Sequence, residues 1–153
     1  MQPNQPIFNS PNRSMSLRPY SATILAACGL IMIGIGLYFI LVRPSFLPED
    51  ARNAGASLKE IQAVAPGFAR WLGRVFWVLG GYIAATGILT LYIATTSFRT
   101  RAKGVGVAVG AAGIASIGMM AAVNVLINSD FKLPLIGLGL LWTSAAVLYW
   151  RNL

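Results

Sequence analysis

The residues able to do chemistry lie mainly in two places. "RPSFLPEDAR" brings Arg43, Glu49, Asp50 and Arg52 within ten positions, and "NVLINSDFK" holds Asn124 and Asp130. Carboxylates beside arginines are the types that form an ion-pair cluster, bind a partner or hold a small cation. Exposed pairs are worth only about 0–1 kcal/mol, so the sequence favours a solvated loop with weak surface pairs. Asn124, near the end of an apolar run, suits a polar contact to an ion or substrate. An interhelical hydrogen bond, worth on the order of 0.6–2 kcal/mol, is the favoured reading. These six residues are the candidate binding positions.

Other chemistry is thinly represented. The chain has no His and one Cys. An internal disulfide is excluded, as is most metal, haem or thiol redox chemistry, and no cofactor or metal is expected. A hydrolytic triad lacks its His, which leaves only the loop carboxylates for acid–base work. "LAAC", ending at Cys28, has the form of a lipoprotein acylation site. Only five residues separate Pro19 from Leu25, fewer than the roughly 7–15 of a signal core, and the apolar run continues past the Cys. An uncleaved span with a buried Cys is expected. "GVGVAVG" resembles a dinucleotide-binding turn, but a basic turn after an apolar run precedes it rather than a strand. Small residues for helix packing are the favoured reading.

The elements that position these residues follow from composition. Of 153 residues, 56% are hydrophobic and only 10% charged, against about 25% charged in a soluble domain. Four apolar runs, at residues 22–42, 75–98, 104–127 and 133–150, contain no Asp, Glu, Lys or Arg. A span needs about 20 apolar residues. In lipid the backbone must satisfy its own hydrogen bonds, so each run is a helix. The expected fold is an all-α membrane protein, a four-helix transmembrane bundle with a short interfacial helix in the first loop. Residues 1–20, rich in Pro, Asn and Ser, read as a disordered tail ahead of a transmembrane domain at 21–153. GxxxG-like steps at Gly106 and Gly110, and at Gly80 and Ala84, predict that spans two and three pack closely.

The net charge of +8 flanks the spans, which points to topology and lipid head groups rather than nucleic acid. The turn "RTRAK" holds three cations and no acid, and all four acids fall on the other side. Raw counts of Lys and Arg are six against six, so the argument rests on density in the short turn. Both termini are therefore expected in the cytoplasm. In the loop at residues 43–74, "RPSFLPED" reads as extended around its prolines. Ser57 and Glu60 form a capping box that predicts a helix from Leu58 to about Ala65. "FARWLGRVFW" reads as an amphipathic lead-in to span two.

"LPED", "WLGRVFWVLGGY" and "NSDFK" resemble segments of a group of small bacterial four-helix inner-membrane proteins. The likeness runs from about Gly29 to Trp150 and implies a bacterial inner-membrane location. It carries no activity and no functional residues. The function expected is that of a non-enzymatic subunit, scaffold or accessory protein. The alternative is a small homo-oligomeric transporter or channel for a neutral or small solute, and an enzyme ranks last. The expected partners are the bilayer and either a second copy or another membrane protein.

Overall fold

A computed structural model describes residues 18–151. The predicted tail lies outside these residues, except that Arg18–Leu41 is already a continuous helix, α1. Pro19 falls in its first turn, where no amide donor is needed. α1 ends ahead of Pro44, with Val42 N and Arg43 N both donating to Tyr38 O.

The loop after α1 carries two short helices. α2, Pro48–Ala54, corrects the expectation of an extended "LPED": Pro48 occupies the first helical position, where its fixed φ favours a helix. Leu47 has no side-chain acceptor for a cap, yet Asp50 Oδ2 accepts from Leu47 N at 2.8 Å and supplies half of a capping box. Gly55, at φ 67°, ends α2 in the left-handed region. α3, Leu58–Val64, starts as its capping box predicts: Ser57 N donates to Glu60 Oε2 at 2.6 Å and Glu60 N to Ser57 Oγ at 3.3 Å.

α4, Phe68–Ile93, runs without a break into a π turn, Ala94–Phe98. Its 31 residues reach about 46 Å, well beyond the roughly 30 Å of hydrocarbon, so the predicted lead-in is the upper part of span two itself. The third span is α5, Val105–Gly113, a π turn, Ile114–Gly118, and α6, Met119–Leu126. The fourth is α7, Lys132–Arg151. All four spans are long and apolar enough to cross a membrane. Their girth is covered with exposed large apolar side chains, among them Tyr82 at 71% and Ile114 at 74% exposure. A soluble monomer does not carry such a continuous surface. The chain is a multi-pass all-α membrane protein.

The spans alternate in direction and pack in the order α4, α1, α7, α5/α6. This overturns the expected pairing of spans two and three. Gly80 and Gly87 of α4 face Gly36 and Gly29 of α1. A methyl carbon added at Gly36 would lie 2.6 Å from both Ala84 N and Gly80 O, and one at Gly87 would lie 2.7 Å from Gly29 O. Buried Ala22 continues the seven-residue spacing on α1, and buried Ala94 continues it on the π turn of α4. That repeat keeps one seam in register between two helices. Gly110 and Gly81 face open space. Gly106 and Gly113 receive the rings of Tyr149 and Trp142 from α7, and Trp142 Nε1 donates to Val109 O at 3.2 Å.

The basic turn closes one end of the bundle. Phe98 stacks on Tyr149 with ring centroids 4.4 Å apart, and Arg101 donates from Nη1 to Tyr149 O at 2.7 Å. That bond meets one of the carbonyls left over at the C-terminus of α7. Cys28 is buried within α1. The segment resembling a dinucleotide turn opens α5, with Gly104 at φ 81° and a helix-ended turn before it.

Candidate functional site

At the other end the bundle splays. α4 and α6 stand on opposite sides of a lateral cleft of about 900 Å³, with α1 as its floor. Its deeper end lies among Ile31, Thr86 and Ala115, and its mouth among Tyr38, Arg43, Asn124 and Ile127. Most of the lining is apolar. The hydroxyls at the deep end are committed to their own helices, Thr86 Oγ1 to Tyr82 O at 2.8 Å and Ser116 Oγ to Ala112 O at 2.6 Å. Ala115 and Ser116 sit on the π turn of span three, whose wider winding offsets α6 from α5.

α2 is fastened across the mouth. On the α6–α7 side, Glu49, only 6% exposed, accepts from Ser129 Oγ at 3.0 Å and Asp130 N at 3.5 Å. Asn53 Nδ2 donates to Ile127 O at 3.1 Å, and Arg52 pairs with Asp130 at 3.5 Å. Asn128, at φ 50°, turns the chain so that Ser129 presents its hydroxyl here, and Asn is one of the side chains that tolerate that conformation. On the α1–α4 side, Arg43 Nη2 pairs with Asp50 Oδ2 at 3.3 Å. The Arg43 guanidinium lies 3.4 Å from the Phe76 ring centroid and 5.3 Å from that of Phe39. A guanidinium is weakly hydrated and stacks well, so Arg is suited to this partly buried place where Lys is not. Phe131 meets Tyr38 at 6.1 Å.

Five of the six predicted positions thus meet. Arg43, Glu49, Asp50, Arg52 and Asp130 form one clasp joining the loop after α1 to the turn between α6 and α7. It is one largely buried pair, one buried carboxylate and one exposed pair, so the expected weak surface pairing describes Arg52–Asp130 and not Arg43–Asp50 or Glu49. Asn124 lines the cleft without making the expected interhelical bond: its Nδ2 donates to Met120 O, at 2.8 Å on its own helix. Sequence reasoning missed Ser129, Asn53, Phe39 and Phe76. Their signal was weak, because a Ser beside Asp130 and a Phe ahead of Trp77 are ordinary at a membrane interface.

Arg43 also borders a smaller recess of about 350 Å³ on the far side of α4, with Ser45, Arg70, Gly73, Arg74 and Trp77. Glu60, on α3, is held below the ordinary glutamate range by the Ser57 amide and then by the Ser57 hydroxyl. The arrangement offers a laterally open, mostly apolar cleft beneath a hydrogen-bonded polar roof. No protein-family model, curated protein or solved structure matches the chain.

Proposed function

We propose that this protein is a non-enzymatic accessory component of the bacterial inner membrane that works by holding an apolar partner in its lateral cleft. The cleft carries the reading: a membrane protein of four spans gains nothing in packing by leaving two of them apart. Its acids support the same view, since Glu49, Asp50 and Asp130 are engaged in fastening α2. The resemblance of "LPED" and "NSDFK" supports the bacterial inner membrane and membership of that four-helix group. The dense basic turn at Arg99, Arg101 and Lys103 supports an orientation with both termini in the cytoplasm and α2 outside.

The transporter alternative meets an obstacle within one protomer. The cleft stops among Ile31, Thr86 and Ala115, and below it the π turn of α4 closes on α5. A solute route would have to be built between copies.

A photoreactive residue at Leu79 or Met119, one on each cleft wall, should give discrete adducts in native membranes. The same residue at lipid-facing Ile88 should give only a diffuse background. Indistinguishable patterns at all three positions refute the binding reading. Orientation is read in a Cys28→Ala background: Gln62→Cys should react with an impermeant thiol reagent and Lys103→Cys should not. Labelling of both from outside would overturn the topology.

A further inference from the structure

We infer that the occupant of the cleft is the hydrocarbon portion of a membrane lipid drawn from the outer leaflet, selected by its chains and not by head-group charge. This rests on the binding reading above and names the class of the occupant.

The depth of the cleft argues for it. Its wall on α4 runs from Phe76 to Thr86, and its wall on span three from Ala115 to Ile127. At 1.5 Å per residue these are about 15 and 18 Å. A bilayer core is about 30 Å thick, so the cleft is one leaflet deep. A partner's transmembrane helix, or one from a second copy, would run the full thickness. Half of it would lie past the closed end, where Phe98 stacks on Tyr149 and Arg101 caps α7. A lipid chain ends at mid-depth, where the cleft ends.

The lining and the roof agree. Leu79, Ile83, Met119 and Val123 offer apolar contact to a flexible chain, and methionine adapts to irregular shapes. Gly34 on the floor is open, with nothing within 4 Å of the place its Cβ would occupy. A space this large cannot stand vacant among lipid tails, since its lining would forfeit dispersion contacts on one side. Above it each charged group already has partners: Arg43 pairs with Asp50, and Glu49, the one carboxylate without a counter-charge, accepts from Ser129. Nothing at the mouth selects an anion. The free cations Arg70 and Arg74 border the recess on the opposite side of α4, and among the described residues they make no ion pair.

The test is native mass spectrometry of the full chain released from membranes in mild detergent. The wild type should retain lipid. Gly34→Leu, which fills the floor, should retain at least about tenfold less, and Ala115→Leu should reduce retention from the opposite wall. Gly137→Leu is the matched control, since Gly137 is also open but lies outside the cleft, and it should retain lipid as the wild type does. The Ala115 variant keeps the test decisive should the Gly34 variant not fold. Delipidated wild type offered phosphatidylglycerol, phosphatidylcholine or diacylglycerol should take them up within about threefold of one another, and salt should have little effect.

Equal retention in wild type, Gly34→Leu, Ala115→Leu and Gly137→Leu overturns the inference. So does a strong, salt-sensitive preference for phosphatidylglycerol, which would place the lipid at the arginine recess. A protein adduct at Leu79 or Met119, another copy included, also overturns it while leaving the binding reading intact. Absence of any discrete adduct removes both.

Discussion

Substitution of Gly36 by Ala should push apart the two spans that floor and wall the cleft. The added methyl carbon would lie 2.6 Å from Ala84 N and Gly80 O and 2.7 Å from Ala84 Cβ. Ordinary van der Waals contact begins near 3.4 Å, so the shortfall is about 0.8 Å against backbone atoms that cannot rotate away. α1 and α4 must separate along a seam that Gly29, Gly80 and Gly87 also use. Overpacking of this kind costs typically about 1–3 kcal/mol. Gly34→Ala supplies the reference. It is two residues away on the same helix and meets nothing within 4 Å. Both substitutions receive the same gain of about 0.5–1 kcal/mol from removing a helical glycine. Their difference therefore isolates the clash.

Thermal unfolding in mild detergent reads that difference directly. At about 2–4 °C per kcal/mol for a chain of this size, Gly36→Ala should melt roughly 2–12 °C below Gly34→Ala. Adding Ala84→Gly should recover part of the loss and no more, because it removes one of three clashes. Equal melting of the two single variants would refute the assigned pairing of spans one and two, and with it the cleft that this pairing leaves beside α6.

Further expectations concern the clasp, the loop and the far seam. Glu49→Ala removes a carboxylate that accepts from Ser129 and Asp130, so at about 1.5–3 kcal/mol for such bonds the amides of α2 should exchange with solvent some 10–100 times faster. Arg52→Ala breaks only an exposed pair and should change the same exchange by less than about 1 kcal/mol. Glu60 has a folded pKa below the unfolded value, so its support for α3 is complete above the ordinary glutamate range and is lost as pH falls through the folded value. Protection of the α3 amides, taken as exchange relative to the intrinsic rate at each pH, should fall on acidification in wild type and stay level in Glu60→Gln. Trp142→Phe forfeits the bond to Val109 O and should cost about 0.6–1.7 kcal/mol in detergent unfolding, while Gly110→Leu, facing open space, should cost little.

The spans and the clasp were legible to different degrees, for physical reasons. Four runs free of charge must be membrane helices, because no other backbone arrangement satisfies itself in lipid. The Ser57–Glu60 box is a local signal and located α3 to within a residue. The loop acids drew attention because the chain carries so few, and five of the six nominated residues do converge. Which spans pair was not legible. A span apolar on all sides has no stripe to mark its buried face, and a GxxxG step shows that a close approach is available without naming the helix that makes it. The deciding spacing was seven, at Gly29 and Gly36 and at Gly80 and Gly87. α2 was not legible because a proline discourages helix in the residues before it and gives no local sign of whether it also begins one, as Pro48 does.

The open cleft also explains where the charges went. In water, an apolar groove of this size would be driven shut by burial of its walls. In lipid the tails are as apolar as the walls, so no such force acts, and the spacing of α4 from α6 must be set by something else. At the end that carries the basic turn, that short turn and the Phe98–Tyr149 stack set it. At the opposite end it is set by α2, held to α1 and α4 through Arg43 and to the α6–α7 turn through Glu49, Asn53 and Arg52. Those contacts lie at the polar boundary, where charge-assisted bonds can form without crossing the hydrocarbon. A chain with only four acids places three of them where they fix the width of the mouth. Loosening α2 should therefore alter what the cleft retains before it alters the helices themselves.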